Sequence, residues 1–341
     1  MEPDQCPLGK LLQVLGTLSI LPAPPPSKRR FSFAKFKEKF LYTVFHAAKY
    51  VIKQHLLNLN HITFKQYLGN NEILVQISVK TIRGIRPAFP LIVLGSDMSL
   101  TPAILRSGCW EPHLTSLFNE KTQPGMTALD IGANMGYYSA LFASKGAYVH
   151  AFEPNPVLQE VLRKNIYMNS KVLQTSKCTV NQCVVGNRQD TIDMKFPSWI
   201  TGDASIKADI SSYKKFLDLH HQSAKVSQIK LDEYVKLNNL EKIDIIKIDV
   251  EGYEEEALRG ATELLTQAQD LMLCMEYTRN RYSDNFPSWL FNLFPRAYLP
   301  RYRRSINVQF LEAYEKEEIF SSVQIDPYFL DIVFMKGRHF P

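Results

Sequence analysis

Three acidic residues close three apolar runs: Asp130 ends TALD, Glu153 ends AYVHAFE and Asp249 ends IDIIKID. Behind Asp130 comes Gly132-Ala133-Asn134-Met135-Gly136, a turn whose glycines let backbone approach a ligand and whose following helix offers N–H donors. A dinucleotide turn spaces its glycines G-x-G-x-x-G and receives a pyrophosphate. Here the spacing is G-x-x-x-G, and the aspartate ahead of the first glycine repels pyrophosphate. The same acid suits a nucleoside that carries an ammonium group and no phosphate, as S-adenosylmethionine does. Glu153 follows Asp130 by 23 residues, at the next strand end, where a carboxylate accepts both hydroxyls of a ribose. The structural alternative makes Asp130 a cap of the following helix and Glu153 a solvated strand end.

These acids need a scaffold that brings strand ends together. From Thr127 the chain alternates short apolar strands with helices: TALDIG, a helix to about residue 144, AYVHAFEP, a helix to about residue 168, TVNQCVVG as a third strand, then IDIIKIDV, a helix over 253–267, and LMLCMEY. Continuous apolar strands separated by helices predict a mostly parallel, doubly wound α/β sheet covered on both faces. Ligands of such sheets bind beyond the carboxyl ends of the strands. Residues 331–336, DIVFMK, predict a late antiparallel strand, and 186–230 an insertion with strand-like DTIDMKF and VSQIKL. Upstream, 72–80 and 89–94 predict a small β layer.

The stretch ALDIGANMGYYSALFASKGAYVHAFEPNP, followed by IDIIKIDVEGYEEEALRGATELL, resembles the FkbM family of S-adenosylmethionine-dependent methyltransferases. The resemblance runs from about Trp110 to Glu276, roughly half of the chain. It implies a class I (Rossmann-like) methyltransferase fold and methylation of a hydroxyl on a small-molecule or carbohydrate-like acceptor. Carried across, it places Asp130, Gly132, Asn134 and Gly136 at the methionine end, Tyr137 and Tyr138 beside it, and Glu153 on the ribose. Val184 and Val185, at the end of the third strand, would flank the adenine, although related enzymes place an acid there. Glu111 either reaches the cofactor or is a surface carboxylate before Pro112.

Methyl transfer to oxygen is an in-line displacement, so holding the acceptor aligned supplies most of the acceleration. A base that takes the hydroxyl proton adds about 10²- to 10⁴-fold. Asp249 and Glu251, in Asp-Val-Glu-Gly, are the predicted catalytic residues, Asp249 nearer the cofactor and Glu251 as base or acceptor ligand. Glu276 adds a third carboxylate. The three together form an alternative Mg²⁺ site, although no resident metal is expected, since Lys247 or Arg279 can pair with one of them. His113 is a rival base or a structural histidine. An NAD-dependent oxidoreductase is opposed by the glycine spacing; a non-catalytic membrane-associated or scaffold protein retaining the fold is the other alternative. The segment after the fourth strand lacks the [DNS]-P-P-[YFW] pattern of base-amine methylation.

The 341 residues carry 40 Lys+Arg against 34 Asp+Glu. Residues 28–53 alone, with Lys28, Arg29, Arg30, Lys35, Lys37, Lys39, Lys49 and Lys53 against Glu38, hold +7 of the net +6, leaving the body at −1. A neutral body lacks the cationic surface of a nucleic-acid binder. Five cysteines without a C-x-x-C pair point to a reduced, cytoplasmic setting. Three segments are expected: a Pro-containing tail over 1–30, an amphipathic helix with the β layer over 31–110, and a methyltransferase domain over 111–341. The basic helix over 31–55 offers a face to an anionic membrane surface or an acidic partner; alternatively its apolar face covers the following domain. Trp199, Trp289 and Arg301-Tyr302-Arg303-Arg304 are candidate acceptor contacts.

Overall fold

The computed structural model describes residues 65–81, 84–170, 178–197, 221–277, 281–294, 297–303, 308–314 and 330–337. Two compact units divide the chain, Met1–Asn60 and His61–Pro341, and the described residues all belong to the second. The tail over 1–30, the basic helix over 31–55, Trp199, Arg279 and Arg304 therefore lie outside the described residues.

The first strands, β1 (Lys65–Gly69), β2 (Glu72–Thr81) and β3 (Gly84–Leu94), form an antiparallel meander. Sequence reasoning missed β1, although Asn70 and Asn71, at φ 45° and 68°, supply the left-handed pair that a tight hairpin requires. Alternation buries Ile73, Val75, Ile77 and Val79 of β2. Two helices that the sequence reading also missed follow, α1 (Leu100–Ser107) and α2 (Pro112–Lys121). Asp97 starts α1, its Oδ2 accepting the Thr101 N–H at 2.7 Å.

The main unit then runs β4 (Thr127–Ile131), α3 (Tyr137–Ser144), β5 (Tyr148–Phe152), α4 (Gln159–Ser170), β6 (Cys178–Asn181), β7 (Val184–Val185), β8 (Asp190–Pro197), β9 (His221–Ile229), α5 (Leu231–Leu237) and β10 (Ile245–Ile248). After it come α6 (Glu254–Arg259), α7 (Thr262–Gln267), β11 (Leu271–Tyr277), α8 (Phe286–Leu293), β12 (Ala297–Arg303), β13 (Val308–Tyr314) and β14 (Leu330–Lys336). The central sheet has the order β13-β12-β14-β11-β10-β4-β5-β6. Neighbours from β11 to β6 are parallel, and β14 is antiparallel to both β11 and β12, as DIVFMK predicts. The order turns back beside β4: the chain moves outward through β5 and β6, then returns to β4's other side as β10. Diverging crossovers open a crevice at the carboxyl ends of β4 and β10.

Side-chain alternation sorts the two faces. Leu129 and Ile131 of β4, with Ile246 and Ile248 of β10, join Ala257, Leu258, Leu265, Phe286 and Leu290 of α6 to α8 in one core. Their alternates include Asp130 and Lys247, which are register partners and so share the opposite face.

One strand expectation is corrected. TVNQCVVG is not a single strand: β6 stays in the central sheet, whereas β7 pairs with β9 in a separate β7-β9-β8 sheet. Asn181 ends β6, and its Nδ2 binds the Ala151 carbonyl and the Tyr234 hydroxyl, each at 3.1 Å. That side-chain anchor closes the β5 pairing and lets the chain step away.

Candidate functional site

The crevice is a cavity of about 230 Å³ lined by Glu111, Asp130, Gly132, Asn134, Tyr137, Tyr138, Glu153, Val184, Val185, Asp249, Glu251 and Glu276. Of the predicted cofactor and carboxylate positions, Gly136 alone is not among its walls.

The turn after β4 is built differently from its sequence expectation. Gly132, at φ +80°, would drive a Cβ to 1.8 Å from the Asp249 carbonyl oxygen, and Gly136, at φ +88°, to 2.6 Å from Leu162 Cδ1. Gly132 thus lets the β4 and β10 loops touch, and Gly136 lets α3 start against α4. The turn's own amides are spent. Gly132 and Ala133 N–H donate to the Phe152 carbonyl at 2.9 and 3.0 Å, and Gly136 N–H to the Ala133 carbonyl at 2.8 Å. Asn134 N–H donates to Glu153 Oε2 at 2.8 Å and Met135 N–H to Asn134 Oδ1 at 2.7 Å.

Asp130 is buried and accepts the Ser139 hydroxyl at 2.6 Å. Burial raises its pKa. This is the helix-fastening role posed as the structural alternative, although the carboxyl also faces the cavity. Glu153 is buried rather than solvated. Its Oε1 and Oε2 accept Asn155 and Asn134 N–H at 2.8 Å each, and burial pushes its pKa up to about 7. Each carboxylate oxygen keeps a further lone pair.

Tyr137 and Tyr138 open α3 with buried rings. The Tyr137 hydroxyl accepts the Trp110 N–H at 3.1 Å and shares a hydrogen bond with Thr115 at 3.0 Å. The Tyr138 hydroxyl donates to Glu111 Oε2 at 2.5 Å. Glu111 is half-buried and lines the cavity; burial, then the Asp331 charge, raises its pKa.

Lys247 is a wall residue that sequence reasoning weighed only as a counter-ion. It is 4% exposed, and its Nζ lies 2.7 Å from Asp249 Oδ2 and 5.0 Å from the Tyr138 ring centre. A lysine inside the otherwise apolar IIKI of β10 was the available signal. The Asp-Val-Glu-Gly loop is fixed from behind, because Glu254 Oε1 accepts the Val250 and Gly252 N–H groups at 3.1 Å each. Glu251 sits at φ +53°. Arg281 Nη1 stands 4.0 Å from both Glu251 Oε2 and Glu276 Oε1. Burial and the Asp249 and Asp331 charges raise the Glu276 pKa.

Among the described residues no group of three His, Cys, Asp or Glu side chains is placed to hold a metal ion; Asp249 is paired with Lys247, while Arg281 stands near both Glu251 and Glu276. His113 does not swing over the cavity, because its Nε2 is held 2.8 Å from Asp331 Oδ2. Val184 and Val185 line the cavity as expected, but from β7, with Cys183 and Met194 extending the apolar flank. Trp289 packs under the Arg259 guanidinium at 4.3 Å and is not a wall residue. Among the described residues, six wall carboxyls face one wall cation, Lys247, an arrangement that disfavours a polyphosphate.

Among the described residues no helix is long and apolar enough to cross a membrane.

The family profile of the methyltransferase FkbM domain matches residues 130–315. The hexuronic acid methyltransferase AglP of Haloferax volcanii is 28% identical over 156 residues, 46% of this chain and 58% of that protein. The 31-O-demethyl-FK506 methyltransferase FkbM of Streptomyces tacrolimicus is 27% identical over 189 residues, 50% of this chain and 70% of that protein. Methyltransferase 1 of Beauveria bassiana is 26% identical over 145 residues, 39% and 57% of the two chains. The chain thus spans less than two thirds of the Beauveria and Haloferax relatives. Among solved structures, a methyltransferase FkbM from Methylobacillus flagellatus is similar at 13% identity and TM-score 0.38, over 69% of this chain and 53% of that one.

Proposed function

The chain belongs to the FkbM methyltransferase domain family, and from that premise we propose that it transfers a methyl group from S-adenosylmethionine to a hydroxyl of a small-molecule or carbohydrate-like acceptor. The observation that carries this reading is the crevice between the β4 and β10 ends, with Glu153 on one side and an apolar flank on the other. Its residues fit an adenosyl donor. Glu153 has lone pairs to accept a diol, Val184, Val185 and Met194 offer an apolar face for a base, and the acidic walls suit a cationic sulfonium. When bound there, S-adenosylmethionine supplies an electrophilic methyl group. Two relatives bear names that specify a hexuronic acid and 31-O-demethyl-FK506, which supports an oxygen acceptor on a small-molecule or carbohydrate-like compound.

The chain's own residues then divide the work. Glu254 and Tyr282 brace the β10 loop, with the Tyr282 hydroxyl 2.9 Å from Glu254 Oε2. Asp249, held by Lys247, lines the crevice that would receive the donor. Glu251, half-buried in the cavity wall and 4.0 Å from Arg281 Nη1, takes the acceptor's proton as the oxygen–carbon bond forms and the carbon–sulfur bond breaks. Its left-handed backbone and Gly252 at φ +97° turn the segment sharply at the crevice. Incubation of the full chain with methyl-labelled S-adenosylmethionine and a cell extract should label a hydroxyl compound. Glu251→Gln should lower the labelling rate about 10²- to 10⁴-fold and leave S-adenosylhomocysteine affinity unchanged. A variant as active as the original would remove Glu251 from the chemistry.

A further inference from the structure

Resting on the S-adenosylmethionine reading, we propose that the Lys247–Asp249 pair receives the zwitterionic amino-acid end of the donor, Lys247 binding its carboxylate and Asp249 its ammonium. The amides from Gly132 to Gly136 are all bonded within the protein, so the turn after β4 has none to give a carboxylate. Asp130 is engaged by Ser139. Among the described residues, Lys247 is then the one cation in the cavity wall.

An ammonium has three donors. One goes to Asp249 Oδ2 at 2.7 Å, and no other acceptor among the described residues lies within hydrogen-bonding reach of Nζ. The charged and ring groups around it come from every packed element: Asp130 from β4, Asp249 after β10, Glu111 ahead of α2, and the Tyr138 ring of α3 at 5.0 Å. Burying a lysine among apolar strand neighbours is costly unless its charge is matched. Nζ and Oδ2 present opposite charges side by side at the cavity wall. An α-amino acid carries its own two charges on neighbouring groups, in the spacing that docks head to tail on such a pair. Charge-assisted bonds of this kind contribute about 1.5–3 kcal/mol each, which is on the order of 10- to 100-fold in affinity.

Calorimetry with three probes tests this on the full chain: S-adenosylhomocysteine, its decarboxylated analogue, and 5′-methylthioadenosine, which lacks the amino-acid end. The unmodified protein should bind S-adenosylhomocysteine at least about 10-fold tighter than either other probe. Lys247→Met should erase that preference while leaving 5′-methylthioadenosine within about twofold. Lys247→Met combined with Asp249→Asn removes both charges without stranding one, and should show the same loss if the single variant unfolds. Equal affinity of the unmodified protein for the three probes overturns the inference, as does a Lys247→Met loss shared equally by all of them. If none of the probes binds the unmodified, folded protein, the donor reading itself fails.

Discussion

Glu153 links the chemistry of one side chain to a measurable pH profile. Burial holds its pKa near 7, and hydroxyl donors of a ribose favour the ionised form. Below pH 7 the free protein carries a proton there that must leave before both oxygens can accept. S-adenosylhomocysteine affinity should therefore rise between pH 6 and pH 8, by up to about tenfold per pH unit on the acid side. Glu153→Gln should weaken binding about 10- to 100-fold and flatten the part of this profile that Glu153 causes; an unchanged slope would assign it to Glu111 or Glu276. Gly132 makes a different kind of claim. Gly132→Ala brings a methyl against the Asp249 carbonyl at a positive φ, and should destabilise the fold by about 2–4 kcal/mol, read by chemical denaturation. A loss below about 0.5 kcal/mol would mean that the two loops part easily. The acids were legible from sequence because each ends an apolar run. The roles of the two glycines were not, because Asp249 and Leu162 are far away along the chain.

Helix α4 ties the β layer to the turn after β4. Asn165 is fully buried; its Oδ1 accepts the Ile92 N–H at 2.6 Å, and its Nδ2 donates to the Ile92 and Met135 carbonyls at 2.8 and 2.7 Å. One amide side chain thus acts as a strand partner for β3 and as a clamp on the turn that touches Glu153. Asn169 adds a bond to the Pro90 carbonyl at 2.9 Å. Asn165→Ala strands three buried backbone groups and should cost about 2–4 kcal/mol, with weaker S-adenosylhomocysteine binding even where the protein remains folded. Full affinity in the folded variant would show that the turn holds its shape without α4. Strand and helix alternation after Thr127 was readable from hydrophobic pattern. The α1 and α2 helices were not, because α2 opens on Pro112 directly after a residue in left-handed conformation, Glu111 at φ +37°, and both are short. The break between β6 and β7 escaped for a similar reason: VVG continues the apolar run, and only the tertiary anchor of Asn181 divides it.

The order of the central sheet places Asp130, Glu153, Asp249 and Glu276 at the carboxyl ends of neighbouring parallel strands, and this follows from the chain returning to β4 as β10. Sequence pattern carries the parallel strands and the late antiparallel β14, but not the placement of the β7-β9-β8 sheet, whose Val184, Val185 and Met194 form the apolar flank. Lys247 was readable as a counter-ion two residues before Asp249, but its burial and its place in the cavity wall come only from the fold. The charge balance of the crevice, six carboxyls around one lysine among the described residues, is a property of the assembled fold. The most direct test is calorimetric titration of the full, folded chain with S-adenosylhomocysteine, with NAD as a control. Saturable heat at one ligand per chain, displaced by S-adenosylmethionine and absent with NAD, is the predicted result; no heat with either adenosyl compound would contradict the assignment of this crevice.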